Sequence, residues 1–337
     1  MKIVYVDCFA GVAGDMLVAA MYDLGLDPEL LRRLPGKLGL PHLSPALVKA
    51  ECHCLRGLQL QVAKPEVRSH RRLRDVLEII DSGEVSSEVK GRVRKSFELL
   101  AGAEARVHGT SLDEVRFHEV GADDAIFEAA AYFAALEALG WPKVYSAAPV
   151  LGNGVIRVAH GLIPLPGPAV AEILKGVPVR FIDRQRETVT PTGAALLVAS
   201  ATFAPCPPVT VEAIGYGAGT ISYDDRPNMV RVFLGLAEPD GGRDSVTALE
   251  VILDGSAPAE LNRLAAELHR LGATEVYVTP VTDGRNQPDR ILTIRCKKSV
   301  APVISDMVCS AIGAAVVSLT EMIRLAPAGD GRPEEPR

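Results

Sequence analysis

The apolar positions of this chain fall into short β-branched runs and helical stripes that alternate along its length. Residues 3–6, IVYV, form an apolar run of the kind that makes a buried strand. A glycine-containing loop follows over 7–14, and residues 15–24 read as a helix. Leu30, Leu31, Leu34 and Leu38 share one face of a helix expected over 28–39, and residues 58–63 suit a strand. From 72 to 108, Val76, Leu77 and Ile80, then Val89, Val93, Phe97 and Leu100, keep helical spacing, with a break near Ser82-Gly83. The alanine-rich stretch at 122–139 predicts a central helix, because small side chains allow close packing.

Strand-like pieces follow at 144–150 and 154–158. Pro164, Pro166 and Pro168 interrupt regular structure before a helix over 168–175. Thr190 caps a helix over 191–201 that has Pro191 at its first position. Strands at 209–214 and 229–236 bracket what reads as a glycine-rich loop at 215–219. The linker EPDGGRD at 238–244 marks a domain boundary. Beyond it the order is strand 246–253, helix 258–271, strands 275–280 and 290–296, helix 300–312 and a strand near 315–320. That order is the ferredoxin-like pattern. The expected fold class is α/β (α+β): a mixed α/β domain over 1–237, a small ferredoxin-like domain over 245–325, and a disordered tail over 326–337.

Composition narrows the function. Apolar residues make up 48% of the 337 and aromatics only 5%, so the core is aliphatic. A net charge of −6 argues against general nucleic-acid binding, which needs a basic footprint. No apolar run approaches the ~20 residues of a membrane span, and the N-terminal stretch soon meets Asp7 and Asp15, unlike a signal peptide. Six scattered cysteines fit a reducing compartment, so a cytoplasmic protein without membrane or nucleic-acid partners is expected. Cys52-His53-Cys54 is an isolated pair of thiols, too little for a structural metal site.

Four segments can carry chemistry. In DCFAGVAGDM, residues 7–16, a strand ends at Asp7 and the loop holding Gly11 and Gly14 leads to Asp15 at a helix start. Backbone N–H groups there can hold a phosphate, and Asp7 a cation; a plain strand–helix turn is the alternative. In VRFHEVGADD, residues 115–124, His118 and Glu119 precede Asp123 and Asp124, a dense set of N and O donors. Carboxylates at a helix start also simply suit its dipole. His160 lies in the glycine/proline loop AHGLIPLP, suited to metal binding or proton transfer. Thr188, Thr190, Thr192 and Gly193 open a helix, as an anion cradle or as ordinary caps.

In this order, the four segments resemble the LarC nickel-insertion family, as do Gly215–Gly219 and RPNMVR at 226–231. HEVGA, HGxxPxP and TPTGAA make the likeness specific, and it runs from about residue 3 to 236. The resemblance implies insertion of Ni²⁺ into a pyridinium bis-thiocarboxylate mononucleotide. One Ni–C and two Ni–S bonds form, with CTP and a divalent metal, usually Mn²⁺, as cofactors. The product is the nickel-pincer cofactor of lactate racemase and related enzymes, so a client nickel-pincer enzyme and a homo-oligomer are the implied partners. It implies His118 and His160 as proton acceptors, and Asp7, His118, Glu119, Asp124 and His160 as metal ligands. Gly11, Gly14, Asp15, Thr188, Thr190, Thr192 and Gly193 would bind the mononucleotide.

The chain departs from the family at several positions. Arg72 and Arg116 stand where histidines are usual, and arginine does not bind metals. Glu128 stands for an aspartate. In the C-terminal domain the usual carboxylates and lysines are replaced within 252–259 and 283–288, which weakens any nucleotide–metal site there. A non-catalytic nickel or cofactor carrier that has lost CTP-dependent turnover is therefore the alternative function. A metal-dependent phosphoesterase is a weaker third.

Overall fold

The computed structural model describes residues 1–63, 71–117, 122–158, 161–237, 245–253, 258–282, 288–297, 300–312 and 318–323. The chain divides into two compact units, Met1–Glu238 and Pro239–Arg337.

The first unit opens with strand β1 (Lys2–Asp7) and helix α1 (Gly14–Asp23), then α2 (Pro28–Lys37) and the hairpin β2 (Ser44–Cys52) and β3 (Leu55–Ala63). Helices α3 (Leu73–Ser82), α4 (Ser87–His108) and α5 (Asp123–Ala138) follow. Then come β4 (Lys143–Ser146), β5 (Val150–Leu151), β6 (Val155–Val158), β7 (Gly161–Pro164), α6 (Pro168–Ile173) and β8 (Arg180–Phe181). The unit ends with α7 (Pro191–Ser200), β9 (Ala201–Thr202), β10 (Val209–Ala218) and β11 (Met229–Ala237).

Local chemistry sets these boundaries. Asp27 caps α2 by accepting from Glu29 N at 3.0 Å, with Pro28 first in the helix. Ser86 caps α4 by accepting from Val89 N at 3.1 Å, and the helix ends where Gly109 takes φ +63°. The break expected near Ser82-Gly83 separates α3 from α4.

Seven strands form one sheet in the order β2-β3-β10-β11-β1-β4-β9. β1 runs antiparallel to β11 and parallel to β4. Val4, Val6, Val230 and Val232 project from one face into the main core with α1, α4, α5 and α7. Ala129, Ala130, Ala131 and Ala135 of α5 are fully buried there, as the alanine-rich pattern predicts. The opposite face carries Ile3, Tyr145 and Ala237, with Tyr5 and Val209 packed against them.

One sequence reading is overturned. Residues 215–218 belong to strand β10 and are not a loop. Their glycines are spacing devices: a Cβ on Gly215 would collide with the carbonyl oxygen of Ala20, and one on Gly217 with that of Met16. Helix α1 lies directly on this strand, and Asp23 at its end accepts from Tyr216 N at 2.8 Å. Strand β2 is an addition that the sequence reading did not contain. Cys52 and Leu55 close the β2–β3 hairpin, so His53 sits in its turn at φ +54° and bonds the Tyr223 carbonyl at 2.9 Å.

The second unit contains β12 (Ser245–Leu253), α8 (Pro258–Arg270), β13 (Ala273–Thr282), β14 (Pro288–Lys297), α9 (Ala301–Ile312) and β15 (Ser318–Ile323). The chain order is β-α-β-β-α-β, as the sequence predicts. Its four strands lie in the order β13-β14-β12-β15 with every neighbouring pair antiparallel, a split β-α-β plan. Leu249, Val251, Leu292 and Ile294 pack with Leu264, Leu268, Ile304 and Val308 to make its core. The expected tail lies outside the described residues. Among the described residues, no helix is long and apolar enough to cross a membrane.

Candidate functional site

The two segments expected to cradle an anion are joined to each other. Val12 N donates to Thr188 O at 2.9 Å and Thr190 N to Val12 O at 3.1 Å, a parallel bridge between the glycine loop and the start of α7. Gly11, at φ +111°, lies so close to Thr188 that a Cβ would collide with its carbonyl. A Cβ on Gly193 would lie 2.6 Å from Val12 O. Gly14 faces the Glu128 carboxylate and the Thr192 methyl, the latter 3.0 Å from a Cβ placed on it. Gly11, Gly14, Thr188, Thr190, Thr192 and Gly193 thus converge, although some 180 residues of chain separate the two groups.

Convergence changes what they can do. Gly11 N donates to Cys8 O at 3.1 Å, and Gly193 N donates to the Thr190 hydroxyl at 3.2 Å. The Thr188 hydroxyl donates to Val150 O at 2.7 Å and accepts from Gly152 N at 2.9 Å. These donors are committed to the joint, so Thr188 and Thr190 act as structural polar ties and Gly11 and Gly193 allow close approach. The helix start that remains is that of α1, whose N-cap is Ala13 with no side-chain capping bond. Its positive dipole end, Asp15 in the first turn and the nearby Glu128 make up the polar part of the joint. Burial raises the Asp15 carboxyl above its ordinary pKa, against the opposing bond from Met16 N at 2.8 Å.

Asp7 ends β1 opposite Arg231 of β11. Its Oδ2 accepts from Arg231 Nη2 at 2.7 Å and Nε at 3.2 Å. Burial works against the guanidinium charge, but the bonds to Asp7 and Tyr216 outweigh it and raise the arginine's pKa. One carboxylate oxygen of this candidate ligand is therefore taken by a side chain that the sequence reading gave no role. Nothing in local spacing could find this partner, 224 residues away.

At the start of α5, Asp123 meets His42 Nε2 at 2.6 Å and Arg71 Nη1 at 2.5 Å. Asp124 stands beside it in the first turn. His118, Glu119 and His160 lie outside the described residues. Among the described residues, no group of three or more His, Cys, Asp or Glu could hold a metal ion. Cys8, between Asp7 and the glycine loop, is fully buried, with its thiol 3.8 Å from the Ser146 hydroxyl. Burial pushes its pKa up to about 12, so the thiol is protonated at neutral pH.

A cavity of about 570 Å³ opens on the sheet face away from the helices, lined by Ile3, Tyr5, Phe203, Cys206, Val209 and Phe233 among others. Its walls carry none of the expected site residues.

The chain is 40% identical over 299 residues to the pyridinium-3,5-bisthiocarboxylic acid mononucleotide nickel insertion protein of Staphylococcus epidermidis (strain ATCC 12228 / FDA PCI 1200), covering 88% of this chain and 75% of that protein. The protein of the same name from Staphylococcus epidermidis (strain ATCC 35984 / DSM 28319 / BCRC 17069 / CCUG 31568 / BM 3577 / RP62A) matches at 40% over 299 residues, with the same shares covered. Among solved structures, the apo C-terminal domain of a cyclometallase involved in the synthesis of the NPN cofactor of lactate racemase is similar at 21% identity. That likeness has a TM-score of 0.23 and covers 24% of this chain and 57% of that one. The family model described as nickel insertion protein matches residues 4–326, and the chain belongs to that family.

Proposed function

We propose that the protein inserts nickel into pyridinium-3,5-bisthiocarboxylic acid mononucleotide and so makes the nickel-pincer cofactor of lactate racemase-type enzymes. The observation that carries this reading is the family match over residues 4–326, which includes the glycine joint and both histidine segments. Nickel here is a substrate. It gains bonds to two thiocarboxylate sulfurs and one ring carbon, and the ring carbon gives up its proton. A base must take that proton, and His118 and His160 are assigned to it. Asp7, His118, Glu119, Asp124 and His160 are assigned as the ligands that hold Ni²⁺ before transfer, with Asp7 oriented by Arg231. The start of α1 at Ala13–Asp15, with Thr192 beside it, is assigned to the mononucleotide. CTP with Mn²⁺ is the cofactor pair that the family resemblance implies, and the second unit, in which carboxylates and lysines usual for such a site are replaced, is assigned to joining copies of the chain rather than to CTP. We place the protein in the cytoplasm, serving a client nickel-pincer enzyme.

The carrier reading is favoured by one observation. Asp254-Gly255-Ser256-Ala257 and Asp283-Gly284-Arg285-Asn286-Gln287 lack carboxylates and lysines usual at these places, which the family resemblance assigns to nucleotide and metal. One experiment separates the two. The protein is incubated with the bis-thiocarboxylate mononucleotide, Ni²⁺, Mn²⁺ and CTP, and the nickel-pincer mass is sought. Insertion yields that mass, whereas a carrier binds Ni²⁺ in titration and yields none.

A further inference from the structure

The loop before α7 and the loop between β10 and β11 bring two guanidinium groups against one tyrosine ring. The Arg184 guanidinium stacks on the Tyr223 ring with its carbon 4.0 Å from the centroid, and Arg186 approaches the same ring at 5.9 Å. Arg184 Nη2 is bonded to Asp225, whose other oxygen accepts from Arg226 Nε at 3.0 Å. The Arg184 side chain is only 13% exposed, and its Nη1 is buried with no hydrogen-bond partner among the described residues. A buried guanidinium donor without an acceptor is costly, and native proteins rarely leave one. The group is also held rigidly. Arg184 N donates to Asn153 Oδ1 at 3.0 Å, and Asn153 N donates to Arg184 O at 2.7 Å. The opposite loop is tied by Asn228 Nδ2 to Ile221 O at 2.8 Å and by Gln59 Nε2 to Gly219 O at 2.9 Å.

Both loops reach the glycine joint. Arg186 lies two residues before Thr188, and Gly219 packs on Met16 in the first turns of α1, with Sδ 3.2 Å from a Cβ placed on the glycine. A preorganised, partly desolvated arginine with a free fork position is suited to an oxyanion, because the planar donor set matches phosphate oxygens. We infer that Arg184 and Arg186 form an oxyanion subsite that takes the phosphate monoester of a mononucleotide. Tyr223 and Asp225 hold the Arg184 guanidinium, whose Nη1 would take the oxyanion, and Arg186 supplies the second charge from the exposed rim. This inference rests on the proposed mononucleotide substrate for its ligand, and on the orphaned Nη1 for its position.

The test uses the full chain in calorimetric titrations without nickel. The probes are pyridinium-3-carboxylate mononucleotide, the corresponding riboside without phosphate, and inorganic phosphate. The wild type is expected to bind the mononucleotide at least about tenfold more tightly than the riboside, and inorganic phosphate to compete. Arg184→Gln should abolish that preference, and Arg186→Gln should weaken it several-fold. Arg186 is exposed, so its variant keeps the test decisive if Arg184→Gln fails to fold. Competition by inorganic phosphate without a preference for the mononucleotide would make the subsite one for free phosphate and overturn the assignment. So would unchanged preference in Arg186→Gln together with a folded Arg184→Gln. The pincer assay remains separate. Mononucleotide binding through Arg184 without a nickel-pincer product would sink the function and keep the subsite. Product formed with unchanged KM in both variants would do the reverse.

Discussion

Arg72 and Arg116 are partners across an isolated antiparallel bridge, secured on one side by Phe117 N donating to Arg71 O at 2.9 Å. Val115 and Phe117 are buried and Arg116 is exposed, so the alternation of an extended strand turns Arg116 away from the core. Directly opposed residues put their side chains on one face, and like charges there repel. The two positions where the family resemblance implies histidine are thus a single spatial feature, and both substitutions add positive charge to it.

Arg116→His is therefore expected to tighten nickel binding, since a fixed positive charge near a cation site opposes occupancy. A gain of about 1.4 kcal/mol would be about tenfold in affinity. Titration of both proteins with Ni²⁺ at one pH near 7.5 measures it. Unchanged affinity would mean that the Arg116 charge is directed to solvent and that this departure has no functional weight.

Asp7→Asn separates two roles of the carboxylate. The ion pair with Arg231 is partly buried, with side chains 19% and 37% exposed. Charge-assisted bonds contribute about 1.5–3 kcal/mol in favourable settings, and solvent screening at this exposure brings the expected loss nearer about 1 kcal/mol. Denaturant unfolding would read that loss. A fall of tenfold or more in Ni²⁺ affinity is expected alongside it. Lost stability with intact nickel affinity would assign Asp7 to Arg231 alone.

Gly217→Ala tests the packing of α1 on β10. Its Cβ would collide with the backbone carbonyl of Met16, which cannot swing aside as a flexible side chain can. Overpacking of this kind costs about 1–3 kcal/mol. Gly91, inside α4, would meet nothing within 4 Å, so Gly91→Ala should stabilise by about 0.5–1 kcal/mol. Equal effects of the two substitutions in denaturant unfolding would contradict this account of the glycines.

Gly217 also marks where sequence reading stops. Helices with strong apolar stripes or clear caps, such as α4 and α7, were legible, because their signals are local. Gly215 and Gly217 read as loop, because glycine frees the backbone of its own residue. Their actual use, letting a helix lie on a strand, depends on a partner roughly 200 residues away. Strand β2 escaped notice because much of it is half-buried or exposed, so its alternation is shallow. Of the segments that the motifs single out, two are joined in the structure, where Thr188 and Gly11 meet. Composition could not reveal that the Thr188 hydroxyl is used internally, or that Asp7 is paired with Arg231.

Cys8 gives a prediction with a defined pH window. Its thiol is fully buried, and its pKa rises from 9.0 to about 12, chiefly through desolvation, with the Ser146 bond opposing. The native state therefore holds this proton at pH values where the unfolded chain has released it. Stability falls with rising pH wherever the native state binds more protons, so the contribution is fully present below about pH 9 and is lost between about 9 and 12. Tyr22 and Tyr132 are also raised by burial, so a raw profile would mix their titrations with that of Cys8. Comparison with Cys8→Ala removes them. The stability advantage of wild type over the variant should stay constant from pH 7 to 8.5 and shrink above pH 9 in denaturant unfolding. Alkylation gives an independent reading. At pH 8 iodoacetamide should modify the exposed Cys54 and leave Cys8 intact until denaturant is added. Rapid labelling of Cys8 in the native protein would mean that the strand end beside Asp7 opens readily, and the buried thiol could not then be a fixed part of the glycine joint.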